Sequence, residues 1–294
     1  MSTIQKVSDA IVQQGMLPLY FNADETVTIE VLRAIYRAGI KAVEYTSRGE
    51  TALSNFTKMV EVRNAEMPDL LLGIGTIKNL QQAEEYFAVG ADFFISPGFV
   101  PEVATFLKSK GILYSPGCMT PTEIITAENA GIHFIKLFPG NMLGPDFLSG
   151  IKDIFPKLLF MPTGGVDTTS ENINGWFKAG VSAVGMGSKL ISKQLMADKD
   201  YATIESETKT VLALITGINP SILVGNRVFL SNSSGSIGKT ESINTMIYKS
   251  VFGLSLEYPL SRRLYFNLSP ALKYQLNNFN KNAIAKENLQ YFEF

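Results

Sequence analysis

Two apolar rhythms alternate along the first two-thirds of the chain. Short aliphatic and aromatic runs occur at residues 16–21 (MLPLYF), 42–47 (AVEYTS), 70–76 (LLLGIGT), 92–98 (DFFISPG), 112–118 (ILYSPGC), 134–139 (FIKLFP), 158–165 (LLFMPTGG) and 183–188 (AVGMGS). These eight runs start 20 to 28 residues apart. Unbroken apolar runs of this length suit strands buried on both faces, as in a parallel sheet. Amphipathic stretches lie between them. Residues 26–39 place Ile29, Leu32, Ile35 and Tyr36 on one helical stripe and end at Gly39. Residues 79–90 and 170–180 end at Gly90 and Gly180, and glycine just past a helix is a common stop. Eight near-equal strand–helix units predict an α/β fold, a (β/α)8 TIM barrel over residues 1–217. A doubly wound open sheet is the weaker alternative, because no GxGxxG pattern follows the first run.

The pattern changes near residue 217, where GINP (217–220) punctuates the chain. Residues 1–217 hold 18 Lys+Arg, 23 Asp+Glu and 8 Asn, whereas residues 218–294 hold 8, 4 and 10. In the second segment, residues 246–258 and 263–276 alternate apolar and polar positions and predict two strands joined by PLSR. These alternating strands and the terminal Phe294 make the last 77 residues similar, weakly, to the end of an outer-membrane β-barrel. Two strands cannot close a barrel. Residues 218–294 therefore read as a β-hairpin-like or poorly ordered extension, foreign to the barrel. The alternative is an accessory hairpin that packs on the barrel or a partner. GSIGKT at 235–240 is not a Walker A loop, since Ser233 stands where that pattern needs glycine.

Composition narrows the chemistry. The chain has 294 residues, 26 Lys+Arg, 27 Asp+Glu, one His and one Cys. Near-neutral charge gives no general attraction to nucleic acid or anionic lipid. A single Cys and a single His exclude a disulfide framework and a multi-His or Cys-rich metal centre, so no metal and no cofactor is expected. Acid–base chemistry must rest on Lys, Glu, Asp or Tyr. Residues 1–14 lack the apolar core of a signal peptide, and no run reaches 18 apolar residues. The barrel is expected to be cytoplasmic, without a membrane partner.

In a barrel, function gathers at the C-terminal ends of the strands. Polar residues are dense there: Glu44, Thr46, Arg48, Thr76, Ser96, Lys136, Thr163, Gly164, Gly165, Gly187 and Ser188. Lys136 interrupts an apolar strand and shares parity with Phe134 and Phe138, which turns it into the barrel. Burial lowers a lysine pKa and frees the amine as a nucleophile for a carbonyl carbon. The bland alternative is a snorkelling or ion-paired lysine. Glu44 shares parity with Thr46 and Arg48 and is also expected inside, either as general acid/base or as a structural ion-pair partner. PTGG at 162–165 and GMGS at 185–188 offer glycine-rich loops after the last two strands, a common place for phosphate in barrels. Two tight strand-to-helix turns are the plainer reading. Cys118, His133 and Trp176 read as structural or incidental.

These motifs resemble a family. VEYTSRG (43–49), GIGT (73–76), ISPGF (95–99), SPGCMTPTE (115–123), IKLFPG (135–140), PTGG (162–165) and GMGS (185–188) follow the order and spacing of the class I aldolases of 2-keto-3-deoxy-6-phosphogluconate (KDPG) and 4-hydroxy-2-oxoglutarate (KHG). The resemblance covers residues 1 to about 215. It implies cleavage of KDPG to pyruvate and glyceraldehyde 3-phosphate, of KHG to pyruvate and glyoxylate, or both. KDPG cleavage would place the chain in the Entner–Doudoroff pathway. By the resemblance, Lys136 is the Schiff-base lysine and Glu44 the general acid/base. Arg48, Thr76 and Thr163 hold the carboxylate and hydroxyls, and Phe138 walls the pocket. Gly164, Gly165, Gly187 and Ser188 take the phosphate. It also implies a metal-free homotrimer acting on a small 2-keto acid. One departure concerns strand one, where several members carry an Arg and this chain has Tyr20-Phe21-Asn22. Lys189, beside Ser188, either adds charge at the phosphate or points to solvent. The competing readings are another phosphate-binding barrel enzyme, which needs no lysine inside strand six, and an idle trimeric scaffold.

Overall fold

In a computed structural model of the chain, the described residues are 2–218, 231–232, 235–236, 255–257 and 265–267. The chain divides into two units, Met1–Ile222 and Leu223–Phe294. In the first, the eight apolar runs all become strand. They are β1 (Met16–Tyr20), β2 (Ala42–Thr46), β3 (Leu71–Gly75), β4 (Phe93–Ile95), β5 with β6 (Leu113–Ser115, Gly117–Cys118), β7 (Phe134–Leu137), β8 (Leu159–Pro162) and β9 (Val184–Met186). The fifth run is split at Pro116, which has no N–H for a ladder bond.

Every pairing in this unit is parallel. One sheet runs β5-β4-β3-β2-β1-β9 and the other β6-β7-β8. The break at Pro116 joins them on one side, and a bridge from Thr163 to Gly185 joins β8 to β9 on the other. The eight strands therefore close on themselves as a (β/α)8 barrel, as the spacing of the runs predicts.

The helices are α1 (Thr3–Gln14), α2 (Glu25–Arg37), α3 (Ala52–Glu66), α4 (Leu80–Ala88), α5 (Pro101–Lys110), α6 (Pro121–Asn129), α7 (Gly140–Ile151), α8 (Ser170–Lys178), α9 (Lys193–Ala197) and α10 (Tyr201–Ile218); α2 to α8 connect the strands on the outside, α1 precedes β1, and α9 and α10 follow β9. Their starts are written in local chemistry. The side chains of Ser2, Asp24, Asn79, Thr120, Thr169 and Ser192 each accept a backbone N–H in the first turn, and Thr120 with Glu123 forms a capping box.

The strands alternate between two apolar clusters. Outward residues such as Val43, Tyr45, Ile74, Phe94, Ile135 and Leu137 pack under the helices. Inward residues Leu17, Ala42, Phe93, Ile95, Leu113, Phe134, Met161 and Ala183 fill the barrel, and Val7 and Ile11 of α1 join them. Helix α1 thus closes the N-terminal end. Gln14 locks it there: its amide donates to the carbonyls of Met16 and Ala42 at 2.6 and 2.9 Å. Its side-chain oxygen accepts the N–H groups of Lys41 and Ala42.

In the second unit, residues 255–257 pair antiparallel with 265–267, and 231–232 pair with 235–236. The rest of the expected strands at 246–258 and 263–276, and the terminal YFEF, lie outside the described residues. Among the described residues, no helix is long and apolar enough to cross a membrane.

Candidate active site

The inward faces of β2 and β7 carry the two charged residues of the barrel interior. Lys136 is 5% exposed and Glu44 fully buried, and Lys136 Nζ lies 3.9 Å from Glu44 Oε1. That separation is an ion-pair contact and too long for a hydrogen bond. Neither carboxylate oxygen of Glu44 has a hydrogen-bond partner among the described residues. Lys136 Nζ also sits 5.0 Å from the centroid of the Phe138 ring.

Burial dominates the electrostatics of this pair. It pushes Glu44 above the ordinary carboxylate range, against the lowering pull of Lys136 and Arg48. It pushes Lys136 below the ordinary lysine range, helped by the positive charge of Arg48 and opposed by Glu44. Both shifts favour the neutral forms, a free amine beside a protonated acid.

Space for the Glu44 carboxylate comes from its neighbour on β3. A Cβ added at Gly75 would stand 1.7 Å from Glu44 Oε1, so only glycine fits. The next residue, Thr76, adopts a left-handed backbone (φ 66°) that a β-branched residue rarely takes. Backbone strain of this kind concentrates at functional sites.

The remaining expected residues gather at the same end of the barrel. Thr163, just past β8, is buried, and its hydroxyl has no hydrogen-bond partner. Its side chain fits because its bridge partner is Gly185, where an added Cβ would meet the hydroxyl at 2.3 Å. Gly164 and Gly165 follow with φ of 93° and 75°. The bridge holds this loop beside the loop of Gly187 and Ser188. The Phe138 ring lies about 3.6 Å from where a Cβ at Gly164 would stand. Arg48 falls just beyond β2 and is exposed, with its charge felt by both Glu44 and Lys136.

Several side chains fall elsewhere. Tyr20 faces outward, and its hydroxyl donates to the Thr28 carbonyl at 2.7 Å, so it offers nothing to the interior. Burial pushes the Cys118 thiol up to about 12, which removes it as a nucleophile at neutral pH. His133 is exposed at the opposite end of β7, and Trp176 is buried in the outer core. Lys189 turns to the surface and pairs with Asp167 at 3.3 Å. Ser115 was not singled out by sequence reasoning; it is buried and its hydroxyl lacks a partner. The available signal was its parity with the inward Leu113.

Among the described residues, no group of three or more His, Cys, Asp or Glu is placed to hold a metal ion. The arrangement presents a desolvated amine, a carboxyl group, hydroxyls and glycine-rich loops to one cavity end.

Comparison with known proteins identifies the family. The family model "KDPG and KHG aldolase" matches residues 7–207. A 2-dehydro-3-deoxy-phosphogluconate aldolase of Treponema pallidum is 30% identical over 189 residues, 64% of this chain and 87% of that protein. A 2-dehydro-3-deoxy-6-phosphogalactonate aldolase of Escherichia coli is 30% identical over 158 residues, 53% of this chain and 75% of that protein. Among solved structures, the KDPG aldolase of Legionella pneumophila, with pyruvate captured as a covalent carbinolamine, superposes with a TM-score of 0.63 at 26% identity. That match covers 69% of this chain and 97% of the Legionella chain. The chain belongs to the KDPG and KHG aldolase family and is a class I aldolase, a carbon–carbon lyase.

Proposed function

We propose that the chain cleaves 2-keto acids bearing a 4-hydroxyl through a Schiff base on Lys136, with Glu44 as general acid/base. KDPG is the leading substrate, and the unphosphorylated 4-hydroxy-2-oxoglutarate is the second. The observation that carries this reading is the desolvated Lys136–Glu44 pair, 3.9 Å apart inside the barrel above its apolar interior cluster. The pyruvate carbinolamine of the Legionella relative supports it.

The neutral amine of Lys136 attacks C2. A new N–C bond forms, and the carbonyl oxygen becomes the hydroxyl of a carbinolamine. Glu44 carries a proton from nitrogen to oxygen and then gives its own to the carbinolamine hydroxyl, water leaves, and the protonated imine remains. Glu44, now a carboxylate, takes the C4 hydroxyl proton. The C3–C4 bond breaks, its electrons flow to the imine nitrogen, and the aldehyde departs. Protonation of the enamine at C3 and hydrolysis of the imine release pyruvate and restore the amine. Arg48 and Thr76 are suited to the substrate carboxylate, Thr163 to a hydroxyl and Phe138 to the pocket wall. The paired loops at Gly164, Gly165, Gly187 and Ser188 are suited to a phosphate.

Borohydride reduction in the presence of pyruvate tests the first step. A three-carbon adduct on Lys136 is expected by peptide mass, together with pyruvate release from KDPG in a coupled assay. No adduct, or an adduct that persists in Lys136→Ala, would sink the assignment. Running KDPG, its 4-epimer and 4-hydroxy-2-oxoglutarate side by side ranks the substrates.

A further inference from the structure

Among the described residues, the buried side-chain oxygens without a hydrogen-bond partner belong to Glu44, Ser96, Ser115, Thr163 and Tyr201. Ser96 follows the inward Ile95 and so turns outward, and Tyr201 opens α10 on the surface of the barrel. That leaves Ser115 as the interior group to which the reading above gives no work.

Its orientation is fixed by the sheet. Ser115 pairs in register with Ile95 on β4, and paired residues of parallel strands share a face. Ile95 and Leu113, two residues before Ser115, both belong to the interior cluster. Ser115 is 1% exposed. It also stands beside Lys136: the Lys136 N–H donates to the carbonyl of Pro116 at 3.0 Å, and Gly117 pairs with Lys136. On its other side Lys136 pairs with Met161, two residues before Thr163. The strand of the lysine is thus flanked by β6, which follows Ser115 across Pro116, and by β8, which Thr163 follows.

A buried hydroxyl costs stability unless something completes its hydrogen bond, and alanine there would avoid that cost. The other sides of Lys136 are already assigned. Glu44, Arg48 and Thr76 come from β2 and β3, and the glycine loops follow β8 and β9. The group that still needs a donor is the oxygen on C2, which gains electron density as the amine attacks. We propose that Ser115 is a further catalytic residue of this site, donating a hydrogen bond to the C2 oxygen during carbinolamine formation and collapse. This inference rests on Lys136 as the Schiff-base lysine. Ser115 keeps its own proton. The N–C2 bond forms, the carbonyl π electrons move to oxygen, and the amine proton reaches that oxygen through Glu44. Glu44 then gives its own proton to that hydroxyl, the nitrogen lone pair closes the C=N bond, the C2–O bond breaks and the oxygen leaves as water.

The test compares the wild type, Ser115→Ala and Ser115→Cys for the rate of borohydride trapping with pyruvate, for kcat and KM in cleavage of KDPG, and for Tm. Ser115→Ala is expected to slow trapping and lower kcat by roughly 5- to 100-fold, the scale of one lost hydrogen bond, with KM within about twofold. Ser115→Cys keeps the shape with a weaker donor and is expected to fall between. It also decides the matter should the alanine variant not fold. Wild-type trapping rates and kcat in both variants would overturn the proposal, as would a change in Tm alone, which marks a purely structural hydroxyl. A wild type that forms no adduct overturns the Lys136 assignment itself and this proposal with it.

Discussion

The two ends of the barrel are built from the same strands and obey opposite rules. At the N-terminal end every buried polar need is met. Gln14 makes four hydrogen bonds, and Leu17, Ala42, Phe93, Phe134 and Ala183 pack with Val7 and Ile11 of α1 into a dry plug. At the other end, one or two residues further along the same strands, Glu44, Ser115 and Thr163 carry oxygens without partners, and Lys136 is stripped of water beside them. Packing density and satisfied hydrogen bonds mark the part of the barrel that stabilises the fold. Buried polar groups left open mark the part proposed to receive the substrate. Stability and chemistry are divided along the barrel axis, and mutations should divide with them.

The largest effect is expected at Glu44, the proposed proton carrier of the open end. Glu44→Gln keeps the shape and removes the acid/base, so kcat is expected to fall by about 10²- to 10⁴-fold with little loss of Tm. Steady-state pyruvate release and calorimetry together check this, and unchanged kcat would remove Glu44 from the chemistry. The closed end is expected to show the reverse. Phe134→Ala, two residues before Lys136, should cost about 3–5 kcal/mol in denaturant unfolding while the folded fraction still forms the Lys136 adduct. Loss of the adduct at full folding would erase the division between the ends.

The smallest effect has the most telling sign. Replacing the pair, Glu44→Gln with Lys136→Met, should abolish turnover yet raise stability by about 1–4 kcal/mol near neutral pH. Burial raises Glu44 from its ordinary 4.5. Above that value the folded state holds its proton longer than the unfolded chain, and stability falls as pH rises through the folded value. Burial lowers Lys136 from its ordinary 10.5, so the unfolded chain binds the extra proton below that value, and stability falls as pH drops. Both penalties act together only between the ordinary values of 4.5 and 10.5. The gain in Tm of the double variant should therefore peak near neutral pH and shrink toward both acid and alkali. A gain independent of pH would mean that packing alone sets it.

Much of the molecule was legible in the chain because one device, alternation, governs both layers. The doubly apolar runs announced eight parallel strands, and a lysine breaking one of them at inward parity marked the candidate site. Alternation failed where the chain leaves ideal strand. Pro116 split the fifth run, and Arg48 lies past the end of β2 in solvent, though parity grouped it with Glu44. Strand one shows the same limit: Tyr20 ends its apolar run, yet its side chain turns to α2 and its hydroxyl donates to the Thr28 carbonyl. The helical spacing of residues 3–14 was visible, but nothing in it said that α1 would plug the barrel.

By itself the sequence determined local matters: strand and helix periods, caps, the scarcity of His and Cys, and the inward lysine. Tertiary structure decided what depends on groups far apart in the chain. It brought Glu44 within 3.9 Å of Lys136, left Gly75 as the space for the carboxylate, and set the Ser115 hydroxyl on the strand beside the lysine. The physical reason is that burial and its pKa consequences belong to the closed ring of strands, and no single segment of the chain contains that ring.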